Sequence, residues 1–307
     1  MLTNISSIYE QLKSLDVTHV VLGLSEDVGV FANSGKTGTS RAWETTLKAL
    51  LNIQSNKFTK ATSVLILGHI DFSHELLAIS KLNPKKKQDI AKSRKLVDKI
   101  DRYVTHIIYQ IVSAGKKPII IGGGHNNGYG AIKGTCLALD KPINVVNFDA
   151  HSDFRIEEGR HSGNAFKYAF TEGFLRNYFI FGLHENYTSN KVLDLLDKTK
   201  SVEYNTYEAI EVRNDLKFKK ELQRAARFVS DDVFGIEIDC DAILNTPSSA
   251  TTPSGFGVNK ARLFVSFMAK LDNAKYLHIC EGIPSKKKPH VMGKLITYLI
   301  TDFIKSN

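Results

Sequence analysis

The chain has 307 residues, 42% hydrophobic and 24% charged, the composition of a globular protein with a core of its own. That excludes a disordered or collagen-like chain, and three cysteines (Cys136, Cys240 and Cys280) are too few and odd in number for a disulfide framework. The 41 Lys and Arg against 32 Asp and Glu leave a net charge of +9, yet the basic runs at 85–87 and 286–288 have no neighbouring aromatics to stack on bases. They read as solvated surface, and nucleic acid is not an expected partner. No apolar run approaches the ~18 residues that span a bilayer, and the first sixteen residues lack the basic-then-apolar order of a signal peptide. A cytoplasmic protein without a membrane partner is expected; whether it forms a homo-oligomer is left open by the sequence.

In chain order, short β-branched runs at 18–24, 63–67, 118–121, 143–148, 178–181, 233–238 and 275–279 predict strands. Several are almost continuously apolar, as in strands covered on both faces. Gly68-His69-Ile70-Asp71-Phe72-Ser73-His74 follows the second, and its two histidines read as loop residues. Asn83-Pro84 predicts the start of a long helix, with proline at the first helical position. Its apolar face, Val97, Ile100, Val104, Ile107, Ile108 and Ile111, keeps a 3.6-residue period, and Gly115 is its expected stop. Two further helices are predicted at 259–271 and 292–304. Strand–helix alternation of this kind implies an α/β fold with a mainly parallel central sheet and helices on both sides, a three-layer α/β/α arrangement. With no repeat or linker in view, residues 1–307 read as one domain.

The chemistry gathers where strands end. The third strand runs into Gly122-Gly123-Gly124-His125, the fourth into Asp149-Ala150-His151-Ser152-Asp153, the sixth into Asp239-Cys240-Asp241 and the last into Glu281. In open parallel sheets ligands bind beyond the carboxyl ends of the strands. Alternation along extended backbone brings Asp149, His151 and Asp153 to one side, and likewise Asp239 and Asp241. Two imidazoles with four carboxylates suit a pair of fairly hard divalent cations such as Mn²⁺; a thiolate zinc site lacks its cysteine pairs. Without cations such crowded carboxylates would repel, and some would have to take up protons. Each motif alone is commonly a turn; their conjunction at strand ends points to a site.

These residues, in this order and spacing, resemble the arginase/agmatinase/formimidoylglutamase family, the ureohydrolases. Near the N-terminus, Gly23-Leu24-Ser25-Glu26-Asp27-Val28-Gly29-Val30 followed by Asn33-Ser34-Gly35 resembles formimidoylglutamases in particular. The resemblance implies an arginase-like fold with two Mn²⁺ ions, one held by His125, Asp149, Asp153 and Asp239, the other by Asp149, His151, Asp239 and Asp241. Asp149 and Asp239 would bridge them. It implies that a hydroxide between the ions attacks an amidine or guanidine carbon. Glu281 would receive the substrate's cationic end, His161 would transfer protons, and Asp153 would be catalytic as well as a ligand. Arg155, Ser162 and Asn164 would bind the substrate. Strand alternation turns Arg155 toward the same crevice as Asp153, where a guanidinium suits a tail ending in carboxylate. The activity so implied is hydrolysis of N-formimidoyl-L-glutamate to L-glutamate and formamide, a step of histidine catabolism. The alternatives are an arginase- or agmatinase-type guanidine hydrolase releasing urea, or a non-catalytic homologue. The chain departs from the family pattern at Asn126-Asn127, at Glu237 (where serine is common), after Asp241 and after Glu281. No ligand position is lost, but groups around ligands tune metal affinity.

Overall fold

Among the described residues eight strands form the central sheet: β1 (His19–Leu24), β2 (Val64–Ile70), β3 (Lys117–Ile121), β4 (Ile143–Phe148), β5 (Leu175–Leu183), β6 (Val202–Thr206), β7 (Phe234–Asp239) and β8 (Ala274–Cys280). The computed structural model describes residues 6–59 and 61–306. All neighbouring pairs are parallel, in the order β2-β1-β3-β8-β7-β4-β5-β6. The seven predicted strands all form. β6 has no counterpart among the predictions: it is an edge strand carrying Glu203, Asn205 and Thr206, and polar edge strands lose the apolar run by which buried ones are recognised.

Alternation along the strands divides the core in two. On one face Ile236 and Ile238 of β7 and Leu277 and Ile279 of β8 pack with helices Ala42–Leu50, Phe218–Val229, Val258–Ala269 and Pro289–Ser306. On the other, Val20 and Leu22 of β1 and Val145 of β4 meet helices Lys87–Ser113, Asn127–Leu139 and Ala165–Thr171. Three layers result, as expected for a sheet whose two faces must both be buried.

Two local expectations need correcting. The long helix begins at Lys87, not at Asn83-Pro84. There the Asn83 side chain accepts from Lys85 N at 2.9 Å and its own N–H donates to the Asp89 carboxylate, closing a turn ahead of the helix. Gly115 does follow the helix end, with φ +76. His69 and His74 are not loop residues: His69 belongs to β2 and His74 to helix Ser73–Ile79, both exposed. Among the described residues no helix is long and apolar enough to cross a membrane.

Candidate metal and substrate site

At the carboxyl ends of β3, β4, β7 and β8, which are contiguous in the sheet, four loops converge on one crevice. The turn after β3 is held open by glycines at φ +89 and +74. A Cβ on Gly123 would lie 2.4 Å from Asn127 Nδ2 and 2.8 Å from Glu26 Oε1, so only glycine fits. Glu26 is buried and braces this turn: its Oε1 accepts from Gly124 N at 2.8 Å and Asn127 Nδ2 at 2.7 Å, while Oε2 accepts from Val28 N and Gly29 N. Asp27 beside it accepts five hydrogen bonds from Gly38, Thr39 and Ser40. The N-terminal motif is thus a scaffold for the ligand loop.

His125 Nδ1 faces three carboxylates, Asp153 Oδ2 at 3.0 Å, Asp149 Oδ2 at 3.2 Å and Asp239 Oδ2 at 3.3 Å. His151 Nδ1 lies 3.0 Å from Asp241 Oδ2 and 3.6 Å from the other oxygen of Asp149. The crevice donors form two groups able to hold an ion, His125/Asp149/Asp153/Asp239 and Asp149/His151/Asp241, each within 4.8 Å; a third group of the same kind, His125/His278/Cys280, shares His125 with the first. Asp149 belongs to both, one oxygen to each. Asp239 belongs only to the first; its Oδ1 accepts from Asp241 N at 2.8 Å.

The convergence does not come from extended backbone. Asp153 has φ +43, and residues Cys240–Ala242 form a 3-10 turn. A left-handed aspartate and a tight turn bring the carboxylates inward. Glu281 also sits at positive φ, +61. Strain in non-glycine residues is characteristic of functional sites.

The charges conflict as they stand. Burial, then Asp241 and Asp149, pushes the Asp239 carboxyl well above the usual range. Burial and Asp149 raise Asp153 as well. Asp149 goes the other way: burial opposes its charge, but His125 and His151 outweigh it and hold it low. Asp241 Oδ1 and His125 Nδ1 are buried without a hydrogen-bond partner. Buried polar groups without partners are rare in folded proteins, and a pair of hard cations would satisfy these donors and remove the repulsion.

Beside the donors lies a cavity of about 410 Å³ lined by His151, Asp153, Asp239, Asp241, Glu281 and Arg155 among others. Glu281 is 3% exposed; its Oε1 accepts from His125 N at 2.8 Å, and its Oε2 has no partner. Burial is the main cause that lifts its pKa to about 8, with Asp153 and Asp241 adding to it. Arg155 lines the cavity, with Nη1 donating to Asn33 Oδ1 at 2.7 Å and Nη2 to Glu158 Oε1 at 2.8 Å. Ser162 also lines it and accepts from Asn33 Nδ2 at 3.2 Å.

Of the expected catalytic and substrate-binding residues, two lie outside this cavity. His161 is fully buried behind its wall; Nδ1 accepts from Gly163 N at 3.1 Å and Nε2 lies 3.2 Å from Glu158 Oε1. Burial first, and then Arg155, Arg94 and Arg160, push its pKa down to about 3. Asn164 spends its Oδ1 on Arg160 and His161 N and its amide on Gly159 O. Both shape the 158–164 loop. The sequence reading missed Tyr187, Ser189 and Ser249, which line the cavity from loops after β5 and β7. Those loops carry turn residues with no chemical pattern, so no signal singled them out.

A sequence profile of the Arginase family matches residues 18–302. The formimidoylglutamase of Streptococcus pyogenes serotype M3 (strain ATCC BAA-595 / MGAS315) is 24% identical over 307 residues, 95% of this chain and 85% of that protein. Among solved structures, Trypanosoma cruzi formiminoglutamase with Mn²⁺ superposes with a TM-score of 0.76 at 16% identity, over 97% of each chain. Formimidoylglutamase from Bacillus subtilis gives 0.75 at 19% identity, over 95% of this chain and 88% of its own.

Proposed function

The chain belongs to the arginase family and is a hydrolase of that family, and from this premise we propose that it cleaves a linear amidine, N-formimidoyl-L-glutamate, to L-glutamate and formamide with two Mn²⁺ ions. The observation that carries the reading is the combination in one cavity of a buried, half-unpaired carboxylate at Glu281, the two donor groups around Asp149, and Arg155 as the only Lys or Arg among the lining residues.

His125, Asp149, Asp153 and Asp239 would hold one ion and Asp149, His151 and Asp241 the other. What such a pair supplies when bound is activation of water near neutral pH and neutralisation of charge developing on the substrate. The protein's own groups do the rest. The amidinium is planar and offers parallel N–H donors, which Glu281 Oε2 can accept in a charge-assisted bond. Binding that cation favours the ionised carboxylate, against the burial that otherwise keeps it protonated. The backbone bond from His125 N to Glu281 Oε1 ties the substrate anchor to a ligand, so the reacting carbon is held at a fixed distance from the donors. Asp153, a donor that lines the cavity as Asp239 and Asp241 also do, is the carboxylate to which we assign proton transfer to the leaving nitrogen. His161 builds the wall instead of shuttling protons.

Arg155, with Ser162 and Asn33 beside it, would meet the far end of the substrate. A guanidinium favours a carboxylate tail and disfavours an ammonium. That distinguishes N-formimidoyl-glutamate from agmatine, and from arginine, whose α-ammonium would lie near the same charge. The test is turnover with Mn²⁺ against N-formimidoyl-glutamate, arginine, agmatine and guanidinobutyrate, reading formamide and urea separately. Formamide from the first substrate is expected to dominate. Urea release from agmatine or arginine as the faster reaction would replace this reading with a guanidine hydrolase, and no turnover on the panel would favour a binding protein.

A further inference from the structure

One layer below the metal donors the sheet carries a second row of buried polar side chains. Asn147 of β4 pairs in register with Glu237 of β7, and Glu237 with His278 of β8; all three are fully buried. Glu237 is at the centre. Its Oε1 accepts from Tyr276 OH at 2.7 Å, and its Oε2 lies 2.6 Å from His278 Nδ1. The same Oε2 is 3.5 Å from His125 Nε2, an ion-pair distance at which Nε2 makes no hydrogen bond as the side chains stand, while His125 Nδ1 points at the Asp149, Asp153 and Asp239 carboxylates. The arrangement is built by the strands: a Cβ on Gly235 would lie 2.1 Å from the Tyr276 ring, so glycine there lets the tyrosine lie across β7 and bring its hydroxyl to Glu237.

A carboxylate in this position is costly unless it does something. The crevice above already holds Asp149, Asp153, Asp239 and Asp241, and a buried charge loses several kcal/mol of hydration. The bonds to Tyr276 and His278 do not by themselves call for a charge, since a neutral amide of the same shape could accept from the Tyr276 hydroxyl at its oxygen and donate from its nitrogen to an unprotonated His278 Nδ1. What a neutral side chain would not supply is an anionic acceptor for the Nε2–H of His125. We infer that Glu237 is a positioning residue for the metal centre: it fixes His125 as the tautomer protonated on Nε2, presents Nδ1 to the ion, and makes that imidazole a stronger donor. Tyr276 and His278 hold the carboxylate in place. The physical logic is that of a carboxylate–histidine–metal triad, in which the outer carboxylate orients the ring and raises its basicity. The inference rests on reading His125 as a metal ligand.

Metal affinity, not turnover, tests it. Glu237→Gln keeps size and shape and removes the charge; Tyr276→Phe leaves the charge and removes one of the groups steadying it. Mn²⁺ would be titrated into each metal-free protein, free ion being followed by electron paramagnetic resonance, with thermal unfolding of the metal-free forms alongside. Loss of an outer-shell partner typically weakens metal binding about 10–100-fold. Glu237→Gln should show that loss at one of the two ions, and Tyr276→Phe a smaller loss at the same ion. Neither should move the metal-free unfolding midpoint by more than a few degrees. Unchanged affinity for both ions in folded Glu237→Gln would overturn the proposal, as would equal weakening of both ions accompanied by a large drop in the midpoint. If Glu237→Gln does not fold, unchanged binding by Tyr276→Phe overturns it. Wild-type protein that fails to take up two ions would bring down the metal reading itself, and the proposal with it.

Discussion

Of two cavities lined by buried charge among the described residues, only one has the character of a site. The crevice above the sheet measures about 410 Å³. The other, about 660 Å³, lies between helices Lys87–Ser113 and Asn127–Leu139 and is lined by Asp98, Asp101, Tyr129, Arg160, Tyr168 and Glu172 among others. There the buried charges have found each other. Arg160 Nε donates to Asp101 Oδ2 at 2.8 Å, Nη1 to Asn164 Oδ1 at 2.7 Å and Nη2 to Asn126 O at 3.0 Å, and its guanidinium lies over the rings of Tyr129 and Tyr168. In the crevice the reverse holds: Asp241 Oδ1 and Glu281 Oε2 are buried with nothing to bond, and like charges face each other. Volume favours the second cavity; unsatisfied donors favour the first. Paired charge holds structure together, whereas converging unpaired charge is what a cation or a charged substrate completes.

The sharpest way to break this contrast is to take a charge from each cavity. Asp239→Asn weakens the donor set in the crevice. Metal content should fall below two ions, and turnover should drop by on the order of a hundred-fold or more, since the ion pair contributes several kcal/mol to the transition state. Circular dichroism should be unchanged. A variant with full metal content and normal turnover would remove Asp239 from the centre.

Arg160→Met, in the second cavity, should do the opposite. It strands Asp101, and breaking a buried pair costs about 3–5 kcal/mol, to be read by urea unfolding with two ions still bound. The loss should depend on pH with a definite sign. Burial already holds the Asp101 pKa up at about 6, even against Arg160, above its unfolded value. Without Arg160 that pKa rises further. A group raised in the folded state contributes stability at low pH that is lost as pH climbs through the folded pKa. The deficit relative to wild type should therefore be smaller at pH 5 than at pH 8. A deficit that grows on acidification would contradict the assignment.

Much of this contrast was legible in the sequence, and the illegible part has a physical cause. The motifs around His125, Asp149 and Asp239 mark the crevice because strand ends in a parallel sheet converge, whatever path the backbone takes there. Extended alternation was the wrong path: Asp153 reaches the donors from a left-handed conformation that the residue letters do not announce. The second cavity had no signal at all, because Arg160 lies 59 residues from Asp101 in sequence and charged residues on a long helix, such as Asp98 and Asp101, usually face water. The burial of His161 was equally unannounced. The resemblance implies a proton-transferring histidine there, and nothing in Ser162-Gly163-Asn164 announces that packing buries its ring. Glu26 and Asp27 could have been anticipated as structural, since two acids directly after a fully apolar strand need buried donors.

Within the crevice, Glu281→Gln separates substrate anchoring from metal binding. The variant keeps a side chain able to accept from His125 N, so metal content should not change. Losing a charge-assisted bond costs about 1.5–3 kcal/mol, or roughly ten- to a hundred-fold in kcat/KM. Unaltered kinetics would mean that the unpaired Oε2 is not where the amidinium binds.

The smallest effect is expected at Arg155, which shares features of both cavities. Like Arg160 it has partners, Asn33 and Glu158; like Glu281 it lines the crevice. Its side chain is 48% exposed, so water screens whatever it does, and exposed ion pairs contribute ~1 kcal/mol or less. Glu158 also neutralises part of its charge. A carboxylate tail reaching Arg155 must therefore compete with an existing partner, and the net gain should be about 0.5–1.5 kcal/mol. Arg155→Met should raise KM for N-formimidoyl-glutamate about two- to tenfold and leave kcat nearly unchanged, because the contact lies far from the reacting carbon and is the same in ground and transition states. The loss should also shrink at high salt, unlike that of Glu281→Gln, whose carboxylate is buried. If KM for the acidic substrate does not move, Arg155 belongs with Arg160 as a structural cation, and nothing else lining the crevice would repel an ammonium tail.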